Sequence, residues 1–164
     1  MKHKVTSSIV RQLYFAFIYS RINYGIQVYG SCADILMYRI QVLQNKLLKF
    51  FLNLDRRHST DRLHADLKIL KVKDIYQVNV IAFVNNCLLK KGSTLFHKYY
   101  AYQTHGYLVR QRNLTVPRPR IDIGEFSTKI TGALMWNSLP ITIKEKSRLK
   151  SFKKIVTKHF VQRY

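Results

Sequence analysis

Acidic residues are scarce in this chain: eight Asp and Glu stand against 29 Lys and Arg in 164 residues, a formal net charge of +21. The acids are Asp34, Asp55, Asp61, Asp66, Asp74, Asp122, Glu125 and Glu145, and no two are adjacent or one residue apart. General acid–base work by paired carboxylates needs two acids brought together. Only Asp122 and Glu125 come near each other in sequence, and local salt bridges to Arg118 or Arg120 are the stronger account of them. Magnesium at phosphoryl-transfer sites is held largely by carboxylates, so the shortage argues against that chemistry within this chain. Cysteine is equally sparse. Cys32 and Cys87 lie far apart in apolar surroundings and read as small buried hydrophobes rather than a disulfide, a usage that suits a reducing compartment. The six histidines form no HxxxH, there is no CxxC, and no GxSxG or Gly-rich phosphate loop occurs. No catalytic residue, metal ligand or cofactor is therefore assigned. Long hydrophobic runs are missing too. The most apolar window, Ile9 to Tyr29, is broken by Arg11, Gln12, Arg21, Asn23 and Gln27, whereas a bilayer span needs about 20 mostly apolar residues. Met1-Lys2-His3-Lys4 is followed by Val5-Thr6-Ser7-Ser8 and no cleavage signal. The expectation is a chain without a transmembrane segment, nuclear or cytoplasmic.

What is present is a 47% hydrophobic fraction, enough for a core, and an excess of positive charge that repels itself in a compact state. A polyanionic partner relieves that repulsion. RNA and DNA lead, and an anionic membrane surface comes second.

Hydrophobic periodicity predicts a mainly α fold. A wide-faced helix starts at Thr6, Ser7 or Ser8, any of which offers a capping oxygen, and runs to about Arg21–Asn23. Ile26-Gln27-Val28 between two turn signals reads as a short β-like run. A long helix begins near Ala33 or Asp34. Its residues Leu36, Ile40, Leu43, Leu47 and Phe50 recur in steps of four and three, an apolar seam that faces a partner helix, with Arg39, Gln41, Gln44, Lys46 and Lys49 off it. A short helix from Ser59 or Thr60 carries Leu63, Leu67 and Leu70. A fourth helix runs from about Lys73 to Lys90, buries Ile75, Val78, Ala82, Phe83 and Leu89, and stops at Gly92. Residues 1–92 thus form a bundle of about four helices. Residues 93–164 begin with an extended, irregular region rich in Tyr, Arg and Pro, with little β structure beyond a short hairpin. A turn at Trp136 follows, and then a basic amphipathic helix over about Ser147 to Arg163.

Candidate nucleic-acid contacts fall in three groups. Lys46, Lys49, Arg56 and Arg57 cluster at the end of the long helix. Arg110, Arg112, Arg118 and Arg120 recur along the irregular stretch, near Tyr99, Tyr100, Tyr102 and Tyr107. Lys150, Lys153 and Lys154 lie on the last helix. Arginine forks onto phosphate oxygens, and tyrosine stacks on unpaired bases or packs a loop. No zinc finger or RNA-recognition fold is present to read sequence. A basic amphipathic protein on anionic membranes and a structural RNA-binding protein are the competing readings.

Gly132-Ala133-Leu134-Met135-Trp136-Asn137-Ser138-Leu139-Pro140, then Ile141-Thr142-Ile143-Lys144 and Ser151-Phe152-Lys153-Lys154, resembles the end of the reverse transcriptases of jockey-like non-LTR retrotransposons. Asn23-Tyr24-Gly25 with Val28-Tyr29-Gly30, Leu43-Gln44-Asn45-Lys46, Leu67-Lys68-Ile69-Leu70 with Asp74-Ile75-Tyr76, and His105, Tyr107 and Arg110 resemble earlier landmarks of that family, in order. Tyr29 stands where the family more often has Trp. The resemblance covers essentially the whole chain. It implies the thumb and post-thumb segment of an RNA-directed DNA polymerase, whose palm, magnesium and catalytic acids lie outside this segment. It also implies the palm and fingers portion as a partner. On this reading the chain is not itself an enzyme, and Gly132, Trp136, Asn137, Leu139, Pro140 and Phe152 are structural, with Trp136 a buried anchor.

Overall fold

The computed structural model describes residues 6–91, 94–103, 113–119, 124 and 126–164. The fold is mainly α, as the periodicity predicts, and an isolated antiparallel bridge between Tyr102 and Leu114 is the β structure among the described residues. The chain divides into two compact units, Met1–Tyr76 with Thr157–Tyr164, and Gln77–Val156. A boundary at residue 92 does not coincide with that division.

In the first unit, α1 (Ser7–Leu13) continues through a wider π-helical segment, Tyr14–Tyr19, into α2 (Ser20–Asn23). Thr6 occupies the N-cap position, yet neither it nor a neighbouring serine caps with its side chain; its carbonyl accepts from Ile9 and Val10 instead. Val10, Tyr14, Ile18 and Ile22 form the inward stripe. The expected β-like run is helical. Gly25 takes a left-handed conformation, φ 66°, which a side chain disfavours, and this reversal starts α3 (Ile26–Tyr29) directly. Four residues between two glycines are too few to hold a strand without a pairing partner, so the local turn decides their state. The Tyr29 hydroxyl donates to the Ile22 carbonyl and closes α3 back on α2.

The long helix, α4 (Asp34–Phe51), starts where expected, but it buries a different face. Met37, Gln44 and Leu48 point inward, while Leu36, Leu43, Leu47 and Phe50 are 46%, 58%, 40% and 77% exposed. The seam was assigned by hydrophobicity alone. A polar side chain with enough hydrogen-bond partners is also buried at no great cost, and Gln44 has them. Helix α5 (Thr60–Leu67) follows Ser59, buries Leu63 and Leu67, and ends at Lys68 with φ 51°.

Helix α6 (Val72–Leu88) is buried on most sides, with Asn79 and Asn85 among its buried residues. Ile75, Val78, Val80, Ile81, Val84 and Cys87 are buried, whereas Ala82, Phe83 and Leu89 are only partly so. The stop expected at Gly92 lies outside the described residues. The turn closes earlier, at Lys90 (φ 54°), where the Lys90 N–H bonds the Cys87 carbonyl and the Lys91 N–H bonds that of Asn86.

In the second unit, a short 3₁₀ turn, Thr94–Phe96, precedes the bridge, which Gln103 N–H to Asn113 O and Thr115 N–H to Ala101 O complete at 2.9 Å each. The Trp136 region is not a turn. It is the end of α7 (Thr128–Asn137), capped by the Ser127 hydroxyl, which accepts from the Lys129 N–H. That helix ends before Pro140, which is the N-cap of α8 (Ile141–Glu145), where its missing N–H has no consequence. The last helix is correspondingly shorter than expected. A 3₁₀ turn, Lys146–Arg148, comes first, and α9 spans Phe152–Val161. Short apolar segments of 8–10 residues carry too few periods to separate one helix from two.

Candidate nucleic-acid interface

Within the first unit, Lys46 and Lys49 lie on the last turns of α4, and Arg56 and Arg57 lie in the turn beyond it. Lys46, Arg56 and Arg57 are exposed. The Lys49 ammonium donates to the Arg56 carbonyl at 2.7 Å, and Asp55 Oδ1 accepts from the Arg57 N–H at 3.1 Å. The first of these bonds folds the turn back against the helix end. Lys46, Lys49 and Arg56 border a groove of about 780 Å³ whose floor is Val42, Leu47, Phe50 and Leu54.

Of the second cluster, Arg118 is exposed, and Arg110, Arg112 and Arg120 lie outside the described residues, as do His105, Tyr107, Asp122 and Glu125. Of the tyrosines near it, Tyr100 packs inward while Tyr99 and Tyr102 are exposed. Tyr100 is buried and donates to the Thr128 carbonyl at 2.7 Å. The Tyr99 ring meets Phe96 edge-on at 5.1 Å and holds the Lys129 ammonium 5.8 Å from its centroid. In the third group Lys150 and Lys154 are exposed. Lys153 is turned inward at its tip: its amine donates to Asn79 Oδ1 at 2.8 Å, and the desolvation lowers its pKa below the usual lysine range. The residue as a whole stays exposed, like Lys150 and Lys154.

Most of the Gly132–Phe152 residues singled out by the sequence are buried. Trp136 is fully buried, 6.0 Å from the Phe152 ring. Leu139 and Phe152 are buried with it. A Cβ on Gly132 would stand 2.5 Å from the Tyr100 hydroxyl and 2.9 Å from Val84 Cγ2, so only glycine admits that approach. Asn137, at the end of α7, satisfies the distant bridge residue Leu114. Its Oδ1 accepts from the Leu114 N–H at 2.7 Å, and its Nδ2 donates to the Leu114 carbonyl at 2.9 Å.

Two polar clusters escaped the sequence reading. Lys144 is buried, and its ammonium donates to Asn113 Oδ1 and the Asn137 carbonyl at 3.0 Å each, with burial lowering its pKa. Ile143 beside it is buried, whereas Ile141 and Thr142 are exposed, so the alternation of this stretch does not mark it. In the first unit, His64 is buried rather than a scattered surface histidine. Its Nδ1 is 3.0 Å from the Ile69 carbonyl and its Nε2 is 2.9 Å from Asn45 Oδ1. Gln44 Nε2 donates to the Tyr14 hydroxyl at 2.7 Å and to the Leu70 carbonyl at 2.9 Å, and Gln41 Oε1 accepts from the Val72 N–H at 2.8 Å. Nothing in a periodicity argument marks glutamines that bury by bonding distant backbone.

Among the described residues no group of three or more His, Cys, Asp or Glu is placed to hold a metal ion, and no helix is long and apolar enough to cross a membrane. Compared with protein-family models, curated proteins and solved structures, the chain matches none.

Proposed function

We propose that this chain binds RNA and DNA through their backbones, without reading base sequence, as the thumb-side portion of an RNA-directed DNA polymerase like those of jockey-like non-LTR retrotransposons. It supplies no catalytic residue and no magnesium site of its own. The observation that carries the reading is unneutralised charge. Twenty-nine basic residues face eight acids. Two ion pairs join described residues, Lys71 with Asp61 and Lys73 with Asp34, and both are partly exposed. Most of the cations are therefore available to phosphates, which position a nucleic acid without specifying its sequence. Lys46, Lys49, Arg56 and Arg57 in one unit, and Arg118, Lys150 and Lys154 in the other, are the contacts assigned. The order of the Gly132–Phe152 motif and its upstream landmarks supports the polymerase origin.

The test is the salt dependence of binding to duplexes of unrelated sequence. With about 6–10 phosphate contacts, affinity should fall about 10³–10⁵-fold between 50 and 200 mM salt and differ little among sequences. Affinity flat in salt, or strongly dependent on base sequence, would sink the proposal. So would polymerase activity of the purified chain, or anionic vesicles displacing duplex RNA.

A further inference from the structure

The apolar seam of α4 has no covering helix among the described residues. Leu36, Leu43, Leu47 and Phe50 are exposed, and Ile40 is partly so. Counted at 100° per residue, the seam centres about 100° around the helix from the buried Met37–Gln44–Leu48 face. It is therefore a second face and not the edge of the first. Its four-three-four-three spacing places Leu36, Leu43 and Phe50 at d positions of a heptad and Ile40 and Leu47 at a positions, the register that receives a parallel or antiparallel helix. The flanks are unequal. On the e side Met37 and Gln44 are already buried in the unit's own core. On the g side stand Arg39 and Lys46, both exposed.

We propose that this face docks an amphipathic helix of a partner protein whose apolar residues repeat at a and d and whose flanking positions are acidic. Charge complementarity selects that occupant. Acids beside the apolar stripe would meet Arg39 and Lys46 as the stripes interdigitate, the arrangement that sets partner choice in coiled coils. A second copy of this chain is disfavoured by the same argument: it would oppose Arg39 and Lys46 with like charges, on molecules that each carry +21. Nucleic acid fits the rim but not the floor. Phosphates and sugars offer little to bury against Leu36, Leu43 and Leu47, and a groove side chain that stacks bases is aromatic, as Phe50 alone is here. Lys46, Leu47 and Phe50 also line the groove beside Lys49 and Arg56, so a docked helix would compete with nucleic acid there.

The experiment uses the full chain and three labelled peptides of about three heptads each. One has Leu at a and d and Glu at e and g, which keeps it from pairing with itself at neutral pH. The second replaces each Glu with Lys. The third is a scramble of the first. By fluorescence anisotropy at about 150 mM salt, where long-range attraction is largely screened, the acidic heptad peptide should bind about tenfold or more tightly than either control. Leu43→Glu with Leu47→Glu, at exposed positions, should abolish that advantage while leaving the melting temperature in place. Arg39→Glu with Lys46→Glu should transfer the preference to the Lys peptide. Equal binding of the heptad and scrambled acidic peptides would reduce the effect to charge alone and overturn the proposal. A loss of single-stranded RNA binding rather than peptide binding in the leucine variant would make the face a nucleic-acid surface. A dimer in sedimentation that the same variant dissolves would assign it to a second copy. Either result also overturns it.

Discussion

Asn137 and Trp136 are neighbours with different duties. Trp136 fills the second unit's core against Phe152 and presents no surface to water. Its replacement by Ala removes the largest buried side chain and leaves a cavity that helix packing closes only in part. The expected cost is about 3–5 kcal/mol, read as a shift in urea midpoint at constant slope. An unchanged midpoint would mean that the ring sits at the surface. Asn137 holds the irregular segment by both backbone groups of Leu114, a residue that is itself fully buried. Asn137→Ala leaves an N–H and a C=O stranded where water does not easily follow, at about 1–3 kcal/mol for each unsatisfied group. Hydrogen exchange at the Leu114 amide is the direct readout: it should accelerate by more than the global loss of stability accounts for. Exchange that merely tracks global unfolding would show that the bond to Asn137 contributes nothing locally.

At the scale of elements, α4 and α5 are joined by a polar layer, and that layer carries a pH signature. Burial lowers the His64 pKa from 6.5, opposed by its bond to the Ile69 carbonyl and reinforced by Lys71, with Asp61 and Asp74 pulling the other way. The folded state therefore binds fewer protons than the unfolded chain just below pH 6.5. Stability should be full above that pH and fall as the pH drops toward the lowered folded value, at up to about 1.4 kcal/mol per unit for one proton. His64→Gln should flatten this loss relative to the wild type in melts between about pH 7.5 and 5. Parallel profiles would exclude His64 as its source. The same layer explains what periodicity could and could not reveal. Helix starts at Asp34 and Thr60, and the burial of Leu63, Leu67 and Ile75, follow from apolar spacing and were legible. The rotation of α4 was not, because Gln44 enters the core through bonds to Tyr14 and Leu70, residues 30 and 26 positions away. The helix at Trp136 was hidden for another reason. Asn137, Ser138 and Pro140 read as turn residues, yet α7 runs on to Asn137 and Pro140 then caps α8.

For the whole molecule, charge is the property most plainly written in the sequence, and it dictates a stability test that needs no site. A net +21 on 164 residues opposes compaction at low ionic strength. Screening shortens the range of that repulsion from about 30 Å at 0.01 M to about 3 Å at 1 M salt. Simple salt should therefore raise the melting temperature, and chloride and fluoride should act alike if screening is the cause. A polyanion that binds the folded state more tightly than the unfolded one should act further, by linkage. Random-sequence RNA held at 100 times its Kd adds about 2.7 kcal/mol. The two effects then oppose each other in a way that identifies them. Added salt stabilises the free chain but dissolves the complex, so the RNA-dependent rise should shrink as the salt-dependent rise grows. A melting temperature indifferent to both would mean that the unfolded chain carries the same self-repulsion and binds RNA as well as the folded one does. The excess charge would then contribute nothing that depends on the fold.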